Sequence, residues 1–339
     1  LDLNRNFPAG WGTTVLGSGD HPMSEPEIDS LVRAARSRTN VCGYNAFHTA
    51  GGFMLRPSST RPDSTLPPFD IWVYNELGKV GVQHTGYPVH SVYEDLTWDK
   101  SDTMSGAGDD WAYEHLGVFG WTTEFWDIIF HATGKHSPTD VWYVGPTPEQ
   151  ELAVCKWTDT HAPGSYSPWK KFNHPQLGEI EIGGCDPIKT WSNAPASKLR
   201  DEVAPHVHFA IYQALASPRL EIKRANAEAL GNGVYKVEIG IANTGWLGTE
   251  ISEWAHKNKI VLPLTAEISG ATLVEGAPRV KLGQLDGRVK FRVSGDAKSD
   301  GTPDRVLQSW LIRGEKGQRV TLTATHQRAG VASAVVELP

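Results

Sequence analysis

Three short segments in the first half of the chain carry residues that could take part in catalysis. Asn4 and Arg5 lie in the segment LNRNFP, His48 ends an apolar run, and Glu124 lies among aromatic residues in WTTEFW. A guanidinium can bind a carboxylate through two parallel hydrogen bonds, an imidazole is a common zinc ligand, and apolar surroundings raise the pKa of a carboxyl group. Together these residue types could bind a carboxylate, hold a metal ion and transfer a proton.

Each of these residues also has an ordinary structural explanation. A single His on a strand is more often structural than functional, Glu124 could face solvent from an edge strand, and Arg5 could pair with a surface Asp. The residues that follow His48 are small, from Thr49 to Gly52. Small residues leave room for a ligand beside the backbone, which favours a functional role for this His.

The elements that must position these residues follow from the spacing of apolar side chains. A strand over residues 40–49 ends near His48, and the carboxyl end of such a strand is where open α/β sheets place ligands. A second strand over residues 118–125 carries Glu124. Before the first strand, an amphipathic helix is predicted from Ile28, with a capping box formed by Ser24 and Glu27. Further helices are predicted at residues 70–77, 109–116, 147–158 and 199–216.

From Leu220 onward the sequence changes character. Short runs that alternate between apolar and polar residues, Val289–Val293 among them, are separated by Gly, Asn and Asp turns. This pattern is typical of a small antiparallel sandwich. The sequence therefore predicts an α/β domain over residues 1–217 and an all-β sandwich, an accessory domain, over residues 218–339.

Composition excludes several classes of protein. The 339 residues are 39% hydrophobic and 21% charged, as in ordinary globular proteins. A net charge of −7 with scattered Lys and Arg argues against nucleic-acid binding. No apolar run reaches the roughly 18–20 residues needed to cross a bilayer.

The cysteines allow at most one disulfide, because the chain has three of them. Cys42 lies in the apolar strand before His48 and is predicted to be a buried free thiol. Cys155 and Cys185 could pair in an oxidising compartment, and the sequence leaves this open.

Taken in order, the motifs resemble those of the M14 metallocarboxypeptidases, the family of the pancreatic zinc carboxypeptidases. The resemblance runs through LNRNFP, AFHTAGGF and SGAGDDWAY to the strand that carries Glu124, and it covers residues 1 to about 160. It implies a mixed sheet with helices on both faces, of which this chain would hold only the later strands. It also implies peptide or protein C-termini as partners, and a secreted or periplasmic location.

The resemblance assigns a role to each candidate residue. His48 would be a zinc ligand, and Arg5 would anchor the substrate's C-terminal carboxylate with Asn4 beside it. Glu124 would be the general base that takes a proton from a zinc-bound water and later protonates the leaving amine. Asp109 would lie at the floor of the pocket for the C-terminal side chain, where an acidic residue goes with basic substrates. A helix N-terminal Asp, favoured by the macrodipole, explains Asp109 nearly as well.

Two features of the family are missing from the sequence. The family takes its other two zinc ligands from a His-x-x-Glu segment upstream of the Asn-Arg pair, and no such segment occurs here; the stretch 100–104 also lacks the family's mobile Tyr. Because three protein ligands normally hold catalytic zinc, we expect a C-terminal part of a longer domain, with the other two ligands upstream of residue 1 and no activity alone. The alternatives are a related hydrolase acting on acyl or cell-wall peptide substrates, and a non-catalytic protein that binds C-termini.

Overall fold

A computed structural model of the protein describes residues 1–137, 139, 141–291 and 302–339. The chain divides into two units, each with its own internal contacts. The first unit comprises Leu1–Pro22, Asn45–Asp110 and Gly120–Ile211. The second unit comprises Met23–Tyr44, Trp111–Phe119 and Tyr212–Pro339. The predicted domain boundary between residues 217 and 218 stays a prediction.

Helices and strands are numbered along the described chain. The helices are α1 (Pro26–Arg36), α2 (Pro68–Thr85), α3 (Gly108–Trp111), α4 (Ile128–Thr133), α5 (Val141–Val144), α6 (Pro148–His161), α7 (Ala196–Leu215) and α8 (Glu253–Asn258). The strands are β1 (Gly43–Thr49), β2 (Phe53–Arg56), β3 (Val89–Ser91), β4 (Phe119–Phe125), β5 (Tyr166–His174), β6 (Gly178–Cys185), β7 (Leu220–Gly231), β8 (Val234–Asn243), β9 (Leu264–Ser269), β10 (Thr272–Leu273), β11 (Arg279–Gly283), β12 (Arg305–Arg313), β13 (Arg319–His326) and β14 (Gly330–Glu337).

A mixed sheet forms the frame of the first unit. Its strand order is β1-β4-β2-β3, with β2 antiparallel to β4 and parallel to β3. All four residues of β2 are buried, as expected for a central strand covered on both faces. The described residues thus confirm the predicted α/β class, a mixed sheet with flanking helices.

Aromatic side chains pack helices α2 and α7 against this sheet. Trp121 of β4 is fully buried, with its ring centroid 5.3 Å from that of Tyr74 and 5.5 Å from that of Phe209. Burying a side chain of this size removes about 150–250 Å² from water, worth roughly 4–6 kcal/mol. Helix α2 continues eight residues beyond the predicted end, and Gly81 lies in this extra part. A Cβ at Gly81 would come within 2.7 Å of Met54 Cε, so this glycine allows close packing instead of ending the helix.

The structure corrects one predicted helix cap and shows another. Helix α1 begins at Pro26, so its N-cap is Glu25, and no side chain caps it. Ser24 instead donates to the carboxylate of Glu25, 2.8 Å away, and the predicted capping box was wrong because proline occupies the first helical position. At α6, Thr147 and Gln150 form a complete capping box.

Two antiparallel four-stranded sheets make up most of the second unit. Their strand orders are β10-β12-β8-β7 and β11-β9-β13-β14. Every second residue of β8 and β13 is fully buried, and these residues meet those of β9 and β12 in one core, as in a sandwich. The predicted all-β part is confirmed. The predicted strand Val289–Val293 is not, because a 3-10 turn occupies Arg288–Lys290; residues 292 and 293 lie outside the described residues.

A buried histidine closes the turn between β13 and β14. His326 is 3% exposed, and its Nδ1 accepts hydrogen bonds from the backbone N–H groups of Arg328 and Ala329, at 3.1 and 3.2 Å. Its Nε2 lies 3.0 Å from Gln284 Oε1, to which it donates. Burial, reinforced by the nearby Arg328 guanidinium, lowers the pKa of His326 to about 4. The ring is therefore neutral in the folded state.

Protonation of His326 should make the stability of the protein depend on pH. The pKa is about 6.5 in the unfolded chain and about 4 in the fold, so the unfolded state binds more protons between these values. The contribution is fully present above pH 6.5 and is lost as the pH falls towards 4, up to about 3 kcal/mol. Urea unfolding at pH 7 and pH 4.5 measures this loss, and it should be smaller in His326→Gln. The exposed His161→Gln is the control; equal pH dependence in both variants would contradict the assignment.

Candidate active site

All five candidate residues line one cavity in the first unit, of about 240 Å³. The cavity lies at the ends of β1 and β4 and beneath the segment before α3. Apolar side chains supply part of its wall. The residues that line it are Asp2, Asn4, Arg5, His48, Thr49, Leu55, Ser59, Val92, Leu96, Met104, Ala107, Asp109, Thr122 and Glu124.

His48 on β1 and Glu124 on the neighbouring strand β4 lie close together. The Nδ1 atom of His48 lies 3.9 Å from Oε1 of Glu124, too far for a hydrogen bond but close enough to share one small ligand. Pairing of Glu124 with Phe53 fixes the carboxylate's position along β4. The Oε2 atom of Glu124 is buried and makes no hydrogen bond within the part of the chain that the structure describes.

Burial controls the protonation of this pair. It raises the pKa of Glu124 to about 8; the negative charge of Asp109 adds to this effect, and the Arg5 guanidinium opposes it. Burial also lowers the pKa of His48. At neutral pH the imidazole is therefore uncharged, the form that can donate a lone pair to a metal. The Glu124 carboxyl mostly holds its proton at the same pH, and a pKa of about 8 leaves a minor ionised fraction. The ionised form can act as a base, and the protonated form as an acid.

Arg5 is held at the rim of the cavity with its side chain accessible. Its Nη1 donates to the backbone oxygen of Asn4 at 2.9 Å and lies 3.8 Å from the Asp2 carboxylate. The side chain is 21% exposed, so donor groups remain for a ligand. The Oδ1 atom of Asn4 accepts from the N–H of Gly108 at 2.8 Å, which ties this segment to the start of α3.

A glycine allows the backbone of Arg5 to lie against the segment before α3. Gly106 has φ +75°, and a Cβ there would lie 2.2 Å from the carbonyl oxygen of Arg5. Hydrogen bonds on either side, from Phe7 N–H to Gly106 and from Gly106 N–H to Ala9, hold the two segments together at 3.0 and 3.1 Å. Only glycine fits this left-handed, close-packed position.

Asp109 is a buried carboxylate at the wall of the cavity. It is 1% exposed; its Oδ1 accepts from the N–H of Asp110 at 3.1 Å, and its Oδ2 has no hydrogen-bond partner among the described residues. Burial raises the pKa of Asp109. The neighbouring Asp110 has a different role, because its carboxylate accepts from the N–H of Ser59 and so fixes the loop after β2.

The described residues do not make a zinc site by themselves. Across residues 1–137, 139, 141–291 and 302–339, no group of three His, Cys, Asp or Glu side chains could hold a metal ion. His48 is a donor of the type that zinc prefers, but catalytic zinc needs three protein ligands.

Sequence reasoning missed two contributions to the site. Asp2 accepts from the N–H of Asn4 and faces Arg5; its position three residues before the Arg was the available signal. Tyr87 supports the end of β4 from outside the cavity, because its hydroxyl accepts from the N–H of Trp126 at 2.9 Å and donates to Glu202. No pattern near Tyr87 indicates this contact. Tyr93 is the tyrosine nearest in sequence to residues 100–104, the stretch that lacks the family's mobile Tyr. It does not line the cavity, and Lys100 Nζ lies 4.5 Å from the centre of its ring.

Comparisons with known proteins find matches in both halves of the chain. Residues 1–139 match the zinc carboxypeptidase family, peptidase family M14, and residues 219–337 match a domain of unknown function, DUF8731. A search of curated proteins finds no match. The family match confirms the resemblance that the motifs indicated for the first segment of the chain.

Every helix in the described residues is too short or too polar to cross a membrane.

Solved structures add two relatives. The chain is similar to thrombin activatable fibrinolysis inhibitor, with 21% identity and a TM-score of 0.30 over 48% of this chain and 41% of that one. It is also similar to carboxypeptidase A from Helicoverpa armigera, with 22% identity and a TM-score of 0.30 over 48% of this chain and 42% of that one. The chain thus spans about two fifths of the length of these relatives.

Replacing Gly106 should disturb the anchor of the site. In Gly106→Ala the new methyl group would collide with the Arg5 carbonyl, and a non-glycine residue would be forced to φ +75°. We expect a loss of about 2–4 kcal/mol in the free energy of unfolding. Gly134→Ala is the matched control, because Gly134 has φ +74° with nothing within 4 Å of a new Cβ. Thermal or urea unfolding measures both; equal losses would show that the contact with Arg5 adds nothing.

Proposed function

We propose that this chain, whose residues 1–139 match the zinc carboxypeptidase family, is part of a metallocarboxypeptidase that releases C-terminal residues from peptides and prefers Lys or Arg. The observation that supports this proposal is the shared cavity of Arg5, Asp109 and Glu124. A guanidinium at the rim suits a free carboxylate, and a buried carboxylate at the wall suits a cationic side chain. Glu124 in the same cavity would carry a proton reversibly.

Each residue has a defined task in this proposal. Arg5 binds the substrate's C-terminal carboxylate through two parallel hydrogen bonds, and Asn4 orients the segment that carries it. Glu124 takes a proton from the attacking water and passes it to the departing amine nitrogen. Its raised pKa, about 8, is close to neutral pH, which suits a group that must accept and then donate the same proton.

In this proposal, His48 is the one zinc ligand that the described residues supply. The neutral imidazole would supply one ligand, and the other two would come from outside residues 1–339. The family's usual location, outside the cell or in the periplasm, is part of the same proposal. Residues 218–339 would be an appended sandwich with a structural or adhesive role.

A second candidate function is a non-catalytic protein that binds peptide C-termini. It is favoured by the lining of the cavity, because Arg5 and Asp109 could bind the end of a peptide without a metal. Expression together with the coding sequence upstream of Leu1 separates the two functions. A catalytic domain would then bind one zinc ion per chain and release the C-terminal residue, and a binding protein would do neither.

Recognition of the carboxylate can be tested on the chain itself. We expect acetyl-Ala-Lys with a free carboxylate to bind more tightly than its amide in calorimetry. Arg5→Ala should weaken binding of the free acid by about 10- to 150-fold, because a charge-assisted hydrogen-bonded pair contributes roughly 1.5–3 kcal/mol. Arg5→Lys should recover only part of this loss, since an ammonium cannot bind bidentately.

Arg33→Ala is the matched control for the loss of an arginine. Arg33 is 75% exposed and pairs with Asp29 within α1, so its removal should leave peptide binding unchanged. Equal affinity of the acid and the amide for the unmodified chain would contradict recognition of a free C-terminus, and with it both candidate functions.

Side-chain preference tests the role of Asp109. The unmodified chain should bind acetyl-Ala-Arg at least about tenfold more tightly than acetyl-Ala-Phe, and Asp109→Asn should abolish this preference because it removes the buried charge. Asp20→Asn makes the same charge change at an exposed position and is the control. A preference for Phe in the unmodified chain would reject the basic specificity and leave carboxylate recognition by Arg5 intact.

A further inference from the structure

Two cysteines meet outside the candidate active site, at the base of an exposed β-ribbon. Cys155 lies on α6, and Cys185 is the last residue of β6. Their Sγ atoms are 3.7 Å apart, although the two residues are 30 positions apart in sequence. Both side chains are partly buried and belong to the first unit.

An attachment at its base would stabilise the β5–β6 ribbon. Among the described strands, β5 and β6 pair with each other alone, and nearly every residue of β5 is exposed. A two-stranded ribbon is marginally stable in water by itself. Cys185 pairs with Tyr166 at its base, where the N–H of Asp186 also donates to the carbonyl of Ser165 at 2.7 Å. A covalent bond at Cys185 would therefore hold the ribbon at the point where it joins the rest of the unit.

The surroundings allow such a bond to form. The sulfur atoms of a disulfide are about 2.0 Å apart, so the two Sγ atoms must approach by less than 2 Å. A cavity of about 460 Å³ reaches both cysteines, and Tyr166, Trp169 and Trp191 form part of its wall. A small oxidant can therefore reach the thiols.

We propose that Cys155 and Cys185 form a disulfide that fastens the β5–β6 ribbon to α6. A low-molecular-weight disulfide such as oxidised glutathione serves as the oxidant. One cysteine thiolate attacks it and releases one glutathione thiol; the second cysteine then attacks the mixed disulfide and releases the other. The two protein thiols lose two electrons and two protons, and one oxidised glutathione becomes two reduced molecules.

The disulfide would also stabilise a segment that supports the candidate active site. Asp186 follows Cys185 directly and caps the turn Pro187–Trp191 through hydrogen bonds to the N–H groups of Ile188 and Lys189. In this turn the carbonyl of Thr190 accepts from Trp126 Nε1 at 2.7 Å. Trp126 lies two residues after Glu124. The disulfide thus fixes the start of a turn that holds the end of β4.

Cys42 provides an internal reference. Its Sγ donates to the backbone carbonyls of Asn40 and Arg328, at 3.3 and 3.5 Å. It belongs to the second unit, whereas the other two cysteines lie in the first. Cys42 is therefore assigned as the free thiol.

Counting thiols tests the bond directly. The full chain is equilibrated with oxidised and reduced glutathione, unfolded without reductant, and titrated with a thiol reagent. We expect one thiol per chain, rising to three after reduction, and none before reduction in Cys42→Ser. Peptide mapping should find residues 155 and 185 in one linked peptide. Three thiols in the oxidised chain, or a bond that involves Cys42, would overturn the proposal.

Stability and proteolysis test the fastening. Reduction should lower the melting temperature by about 5–10 °C, because the bond closes a loop of 30 residues in the unfolded chain. It should also speed tryptic cleavage at Lys170 and Lys171 in the ribbon, and Cys155→Ser should behave like the reduced protein. If that variant fails to fold, reduction of the unmodified chain still gives the answer. Unchanged melting and cleavage on reduction would overturn the fastening role. These measurements involve no substrate, so their outcome is independent of the proposed peptidase activity.

Discussion

The burial of two carboxyl groups beside one guanidinium is the constraint on which the site depends. Asp109 is 1% exposed and Glu124 7%, and each has an oxygen without a hydrogen-bond partner among the described residues. Unpaired buried charge is costly, so the fold favours the protonated form of Glu124, and the positive charge of Arg5 opposes this. Buried, unpaired carboxyl groups lower stability and add nothing to packing. They are expected at a binding site, where a ligand supplies the missing partner.

The rest of the first unit can be understood as a rigid support for this arrangement. The bond between Asn4 and Gly108 and the close contact at Gly106 join the segment of Arg5 to that of Asp109. The pairing of Phe53 with Glu124 fixes the position of the carboxylate along β4. The Tyr87 hydroxyl holds the end of this strand by accepting a hydrogen bond from the N–H of Trp126. Because these supports are backbone contacts or buried hydrogen bonds, the charged groups keep their positions without a ligand. Binding therefore carries little entropic cost for ordering them.

The sequence predicted which residues lie together better than it predicted the elements around them. Residue type alone left Arg5, His48, Asp109 and Glu124 with ordinary structural explanations, and the resemblance of their motifs to a known family made them candidates. They line one cavity, and their roles stay predictions. The length of α2 could not be predicted, since the residue after the predicted end, Gly78, is compatible both with the end of a helix and with close packing against Val89 and Trp121. Long-range contacts leave no local pattern either, as the bond from Tyr87 to Trp126 and the approach of Cys155 to Cys185 illustrate.

The proposed binding of a peptide's C-terminus and the proposed activation of water are physically separable. The groups that would recognise a carboxylate and a cationic side chain all lie within the described residues, whereas only one imidazole faces the cavity as a donor to zinc. Recognition by Arg5 and Asp109 needs only complementary charge in a partly desolvated cavity, so it should persist without metal. The charge on Glu124 is different, because a nearby cation would stabilise its ionised form and lower its pKa. The proposed affinity for C-termini would therefore depend least on zinc, and the proposed proton transfer would depend on it most.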